Sequence, residues 1–235
     1  MIRNPNETIA PSQTLDRGLA CLEFIAGAEQ PVTVDAVAAA LGLHRSIVYR
    51  LLRTLEGRRL IERDGDGDGR YLPGPYLAVL SRSVRRSLRA AAASVLVNLA
   101  EELQMTAFLV VADADEAVTI DSVEPTSLDA HVAYRPGTRH PIDRGAPGIA
   151  LLAGRPPVPD ERAEIAAARR RGWAQSRAEV IPGMASIAAP IADEGAIAVL
   201  WLAGNPVDTT LVAARLVTAA ADIRHRLALD PAPIV

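Results

Sequence analysis

Five side chains able to hydrogen-bond to nucleic acid crowd into seven residues: His44, Arg45, Ser46, Tyr49 and Arg50. Arginine forks onto guanine edges or phosphate, and the hydroxyls and imidazole bond to either, so the chemistry on offer is base and backbone recognition. On a helix these groups face away from Ile47, Leu51 and Leu55. The early residues of a recognition helix lie nearest the base edges, which makes Arg45 the first choice for a base contact. Arg17, Thr33 and Arg53 fall where phosphate contacts position such a module without reading sequence. Any one of these arginines could be a solvated surface charge; together they make a face.

Catalytic chemistry finds less support. His44, His131, His140 and His225 are scattered, and no Cys/His spacing suits a metal. Neither a nucleophile elbow nor a phosphate-binding glycine loop is present. GDGDG has the alternating aspartates of a calcium loop but lacks its distal Glu, and reads as a turn. The expectation is no enzyme, no cofactor and no metal. The single Cys21 sits in a helical pattern, as a core thiol or, alternatively, a redox sensor.

Apolar spacing indicates the elements that must hold the basic face. Leu15, Leu19, Leu22 and Ile25 recur at three- and four-residue steps, predicting a first helix that ends near Gly27. Thr33 is an N-cap candidate for a second, VDAVAAALG, which Gly42 stops. The third runs from His44 or Arg45 to about Glu56, with Ile47, Leu51 and Leu55 on one side and Val48 and Leu52 beside them. Two short helices joined by a Gly-containing turn have the spacing of a helix-turn-helix. LIERDGDGDGRYL then forms a hairpin, hence a wing.

Arg63 and Arg70 flank the wing tip and are expected to meet phosphate, whereas Asp64, Asp66 and Asp68 at the tip would be repelled by a duplex. Replacing those three with Asn is expected to leave DNA affinity unchanged or higher in low-salt fluorescence anisotropy; a fall would overturn that placement. Over residues 44–89, eleven arginines stand against five acidic residues, a local +6 on a chain of formal net charge -3. Such an imbalance suits a phosphate-binding module joined to a different domain.

Residues 76–104 read as one long linker helix, arginine-dense at its start (Arg82, Arg85, Arg86, Arg89) and apolar later. Beyond it TAFLVVAD, EAVTIDSVE and LDAHVAYRPG look like strands, and RGAPGIALLAG like a turn into a short helix. An Ala/Arg-rich helix ends near Gly172, ASIAAPIAD and GAIAVLWLAG are further strands, and a helix over about 209–229 closes the chain. The class is α+β. No apolar run approaches about 18 residues, and MIRNPNETIAPSQ lacks an apolar stretch, so a cytoplasmic protein without membrane contact is expected.

The segments LDRGLACLEFIA, TVDAVAAALGLHRSIVYRLLRTLEGRRLIERD and GRYLPGPYL resemble the DNA-binding region of the IclR family. RPGTRHPIDRGAPGIALLAG and RGWAQSRAEVIPGMASIAAPI resemble its far half, so the likeness runs over about 220 residues in the right order. The resemblance implies a flexible arm (1–12), a winged helix-turn-helix (13–75), a linker helix (76–104) and a GAF-like effector domain (105–235). It further implies a homodimer or tetramer on a pseudo-palindromic double-stranded DNA operator.

For the effector, the resemblance implies contacts at Ala146 and Pro147, and at His140, Ser176, Ser186, Trp201 and Ala203. The turn RGAPG places Pro at the helix start and is expected to leave adjacent backbone N–H groups free, a small anion site. Against the common family pattern, His140 stands for an apolar residue, and Trp201 and Ala203 for small hydroxyl side chains. A flatter, more aromatic pocket follows, suited to a ring-bearing acid rather than a two- or three-carbon one; Trp201 as plain core is the competing reading. The expected function is a sequence-specific regulator modulated by a small organic acid. The alternatives are a sensor domain serving only for oligomerisation and, further off, a small-molecule enzyme.

Overall fold

The computed structural model describes residues 12–65, 69–126 and 134–229. The chain divides into two compact units, Met1–Val84 and Arg85–Val235.

The first unit runs α1 (Gln13–Gly27), β1 (Val32–Thr33), α2 (Val34–Leu41), α3 (Arg45–Gly57), β2 (Ile61–Arg63), β3 (Arg70–Pro73) and α4 (Tyr76–Ser81). Its boundaries have local causes. The Thr33 hydroxyl accepts from the Ala36 amide at 3.1 Å, and Gly42 stops α2 in the left-handed conformation at φ 62°. The core gathers Cys21 and Ile25 of α1, Val37 of α2, Val48, Leu52 and Leu55 of α3, with Ile61 and Tyr71 of the hairpin. Burial pushes the Cys21 thiol above its ordinary pKa, as expected for a core thiol.

The apolar stripes are rotated from those read in the sequence. Leu15 and Leu19 are exposed, whereas Ile25 of the same stripe is buried together with Gly18 and Cys21. In α3 the buried line is Val48, Leu52 and Leu55, while Ile47 and Leu51 are half-buried. The two-residue β1, unforeseen, pairs with β3 and completes a sheet of order β1-β3-β2.

The single helix expected over residues 76–104 is two helices. After α4 the chain makes a run of turns, Arg85 takes a left-handed φ of 47°, and α5 begins at Arg86. The Ser81 and Ser83 hydroxyls donate to the carbonyls of Ala78 and Leu80, local bonds that compete with the helical ladder. The break falls where the two units divide.

The second unit continues from α5 (Arg86–Leu103) through β4 (Thr106–Asp113), β5 (Glu116–Val123), β6 (Arg139–Pro141), α6 (Gly145–Ala153) and α7 (Ala163–Arg171). β7 (Ala174–Arg177), β8 (Met184–Pro190), β9 (Ala196–Leu202) and α8 (Thr209–Leu229) follow. The strands form one antiparallel sheet of order β6-β5-β4-β9-β8-β7. Period-two alternation sorts its side chains: Leu109, Ile187, Ile197 and Val199 pack with α5 and α8, whereas Phe108, Ala188, Ala198 and Leu200 pack with α6 and α7. This is the α+β class expected. Of LDAHVAYRPG, residues 128–133 lie outside the described residues, and the strand that forms is β6, further on. Among the described residues no helix is long and apolar enough to cross a membrane.

Candidate nucleic-acid interface and ligand recess

α3 is amphipathic by construction, with its back buried and its front bare. His44 is its N-cap: the ring Nδ1 accepts from the Ser46 amide at 3.3 Å and from the Ser46 hydroxyl at 2.8 Å. Two of the five readout candidates therefore hold each other at the helix start, and both stay exposed. Arg45 reaches across to Asp35 of α2 at 3.0 Å, the two side chains 69% and 63% exposed. Tyr49, Arg50 and Arg53 are exposed on the same helix. Arg17 is half-buried on α1, and Thr33 is occupied as the cap of α2.

The wing flanks behave differently from one another. Arg63 donates its Nε to Glu56 at 3.0 Å and lies over the Tyr71 ring at 5.4 Å, which fastens β2 to α3 and draws this guanidinium away from a simple phosphate contact. The Glu56 hydrogen bond is the main reason its pKa lies above the ordinary value. Arg70, opposite on β3, is exposed. Asp64 donates its amide to the Arg70 carbonyl and closes the hairpin, while Asp66 and Asp68 lie outside the described residues.

In the second unit, a recess opens on the α6 side of the sheet. Phe108, Tyr134, Pro147, Met184 and Leu200 supply apolar wall, and the Phe108 and Tyr134 rings meet at 4.5 Å between centroids, tilted by 47°. The polar lining is His140, Ser176, Glu179 and Ser186. Burial raises the Tyr134 phenol above its usual pKa. Ser186 donates to the Val199 carbonyl at 2.8 Å and keeps its oxygen as an acceptor.

The start of α6 is tightly held. Gly148 packs so closely that a Cβ would stand 2.2 Å from the Ile142 carbonyl oxygen, and Gly145 has φ 72°. The backbone N–H groups expected to be free there are taken: Gly145 donates to Glu179 Oε2 at 2.9 Å and Ala146 to Ser176 Oγ at 2.8 Å. β7 and the residues after it bring these acceptors in, across 34 and 30 positions of sequence.

The IclR helix-turn-helix domain model matches residues 14–65. The chain is 30% identical over 209 residues to the glycerol operon regulatory protein of Streptomyces griseus, spanning 80% of this chain and 82% of that protein. It is 31% identical over 159 residues to the transcriptional repressor IclR of Escherichia coli, spanning 64% of this chain and 57% of that one. The chain belongs to the IclR family. A solved IclR homologue from Microbacterium hydrocarbonoxydans, complexed with 4-hydroxybenzoate, shares the fold at a TM-score of 0.78 with 20% identity, covering 92% of this chain and 100% of that one.

This IclR-family chain is thus a transcriptional regulator rather than an enzyme. Of the effector contacts inferred from the family pattern, His140, Pro147, Ser176 and Ser186 line one recess, and Ala146 adjoins it at the start of α6. Trp201 and Ala203 do not join them. Trp201 has the parity of Ile197 and Val199, so it faces the α5 and α8 core, and Leu200 takes the place in the recess. Trp201 and Ala203 border a separate depression with Gln175, Arg177 and Pro206. The residue that the sequence reading missed is Glu179, which no local pattern connects to the turn it caps.

Proposed function

We propose that this IclR-family regulator seats α3 in the major groove of a pseudo-palindromic operator as a homodimer or tetramer, and that a small organic acid in the recess modulates its operator affinity. The observation carrying the DNA half is α3 itself, with an exposed His44–Arg53 face on a back formed by buried Val48, Leu52 and Leu55. Arg45 is the base contact in this reading, with His44, Ser46, Tyr49 and Arg50 beside it. Arg17, Thr33, Arg53 and Arg70 hold phosphate, and Arg63 acts mainly by fixing the wing. The ligand half is supported by the aromatic and hydroxyl lining of the recess and by the related protein's complex with 4-hydroxybenzoate. A ligand alters DNA affinity only as far as it discriminates between DNA-competent and incompetent states.

Fluorescence anisotropy on operator duplexes selected from a random pool tests the DNA half. Binding should weaken with salt, and the Arg17→Ala, Arg53→Ala double variant should flatten the slope of log K against log salt by about 0.9 per lost phosphate contact. Protein that ignores duplex DNA even at about 50 mM salt, well within the range where phosphate contacts bind tightly, would end this reading.

A further inference from the structure

We propose that Glu179 is a resident anion in the recess, a carboxylate of the chain's own that an acid ligand must displace, and that it sets the recess against the smallest acids. The inference rests on the reading of this recess as the ligand site. One Glu179 oxygen accepts from the Gly145 amide at the start of the nine-residue α6, where the helix offers its positive end to an anion. The other is gripped by both Arg162 nitrogens at 3.1 Å. Arg162 is tethered in turn by the Asp143 carbonyl and by Glu164 at 3.5 Å, and Glu179 holds its pKa above the ordinary value.

His140 forms part of the recess wall beside this turn. It is 5% exposed, lines the recess, and would stand 3.7 Å by its Cε1 from a Cβ on Gly145. Nδ1–H donates to the Pro141 carbonyl at 3.0 Å, which fixes the ring in the recess wall. No arginine is among the described residues lining the recess. An entering carboxylate must therefore take the Gly145 amide from Glu179 or share the cavity with a like charge whose Arg162 partner is already engaged.

The displaced carboxylate keeps its Arg162 partner, so the exchange carries Glu179 toward the start of α7 rather than into bulk solvent. A ring-bearing acid offsets that exchange by removing apolar area from water against Phe108, Pro147 and Leu200; acetate has no such area to bury. Glu179 thus acts as a specificity determinant for acid size.

The test is the melting temperature of the full chain in sodium acetate against sodium chloride at equal ionic strength. Wild type should show no acetate-specific rise. Glu179→Ala vacates the Gly145 amide, and acetate at about five times its Kd should raise its Tm by about 2–4 °C. Arg162→Met, which loosens the resident carboxylate without removing it, should respond between the two and serves if Glu179→Ala fails to fold. An equal response in wild type, or none in any folded variant, overturns the proposal. Benzoate separates the two readings: if acetate stabilises Glu179→Ala while no ring-bearing acid binds either protein, the resident carboxylate stands and the ring-acid reading falls.

Discussion

Leu52→Ala is expected to destabilise the DNA-binding unit by about 2–5 kcal/mol, the usual loss for truncating a fully buried leucine. Leu52 is 0% exposed, midway along the buried line of α3, in a core whose other members come from α1, α2 and the hairpin. At roughly 0.05–0.15 kcal/mol per residue, a unit of this size has only about 4–13 kcal/mol in all, so the loss is a large fraction of it. Both tryptophans, Trp173 and Trp201, belong to the second unit, so far-ultraviolet circular dichroism reports both units and tryptophan fluorescence only one. The circular-dichroism transition should begin at lower urea and operator binding should fall with it, while Leu52→Met, conserving volume, should lose less than about 1.5 kcal/mol. A Leu52→Ala chain with an unmoved circular-dichroism midpoint would mean that the back of α3 is not what holds it.

Helices with strong caps were legible in the sequence. Thr33 and Gly42 bound α2, Gly172 stops α7, and α8 spans the residues read for it, because these signals lie within a turn of what they terminate. What was not legible depended on partners far along the chain. The apolar stripe of α1 was read from Leu15, Leu19, Leu22 and Ile25, yet only Ile25 of these is fully buried, with Gly18 and Cys21, because the face that packs is set by neighbouring elements rather than by the leucines. β1, β6 and β7 span two to four residues each, too few for alternation to register. The break before α5 has neither glycine nor proline to announce it.

The recess beside α6 shows the same division. His140, Pro147, Ser176 and Ser186 could be assembled from family likeness because each is tied to a motif. Trp201 could have been rejected by parity: alternate residues of a strand face opposite sides of a sheet, and the apolar run of β9 is buried on both, so hydrophobicity alone gave no choice between Leu200 and Trp201. Glu179 reaches Gly145 only after β7 is laid beside β8 at the far edge of the sheet. The supposedly free amides were a correct reading of the turn in isolation and were answered from elsewhere.

Arg45→Ala should weaken operator binding about 5–150-fold, or about 1–3 kcal/mol, and relax specificity at one base pair per half-site, as loss of a bidentate base contact does. The partnership with Asp35 sharpens this. Both side chains are well over half exposed, so the ion pair adds little to stability, on the order of 0–1 kcal/mol, and the variant should melt as the wild type does. What Asp35 can supply instead is orientation, holding one face of a mobile guanidinium before DNA arrives, at the cost of a negative charge near phosphate. Asp35→Ala should therefore tighten binding to unrelated duplex at low salt and reduce discrimination at the base pair that Arg45 reads. On an Arg45→Ala background the same substitution should leave discrimination unchanged, because there is no guanidinium left to orient. Uniform weakening by Arg45→Ala across all sequences would move Arg45 to the phosphate-holding set and leave Asp35 with no part in base selection.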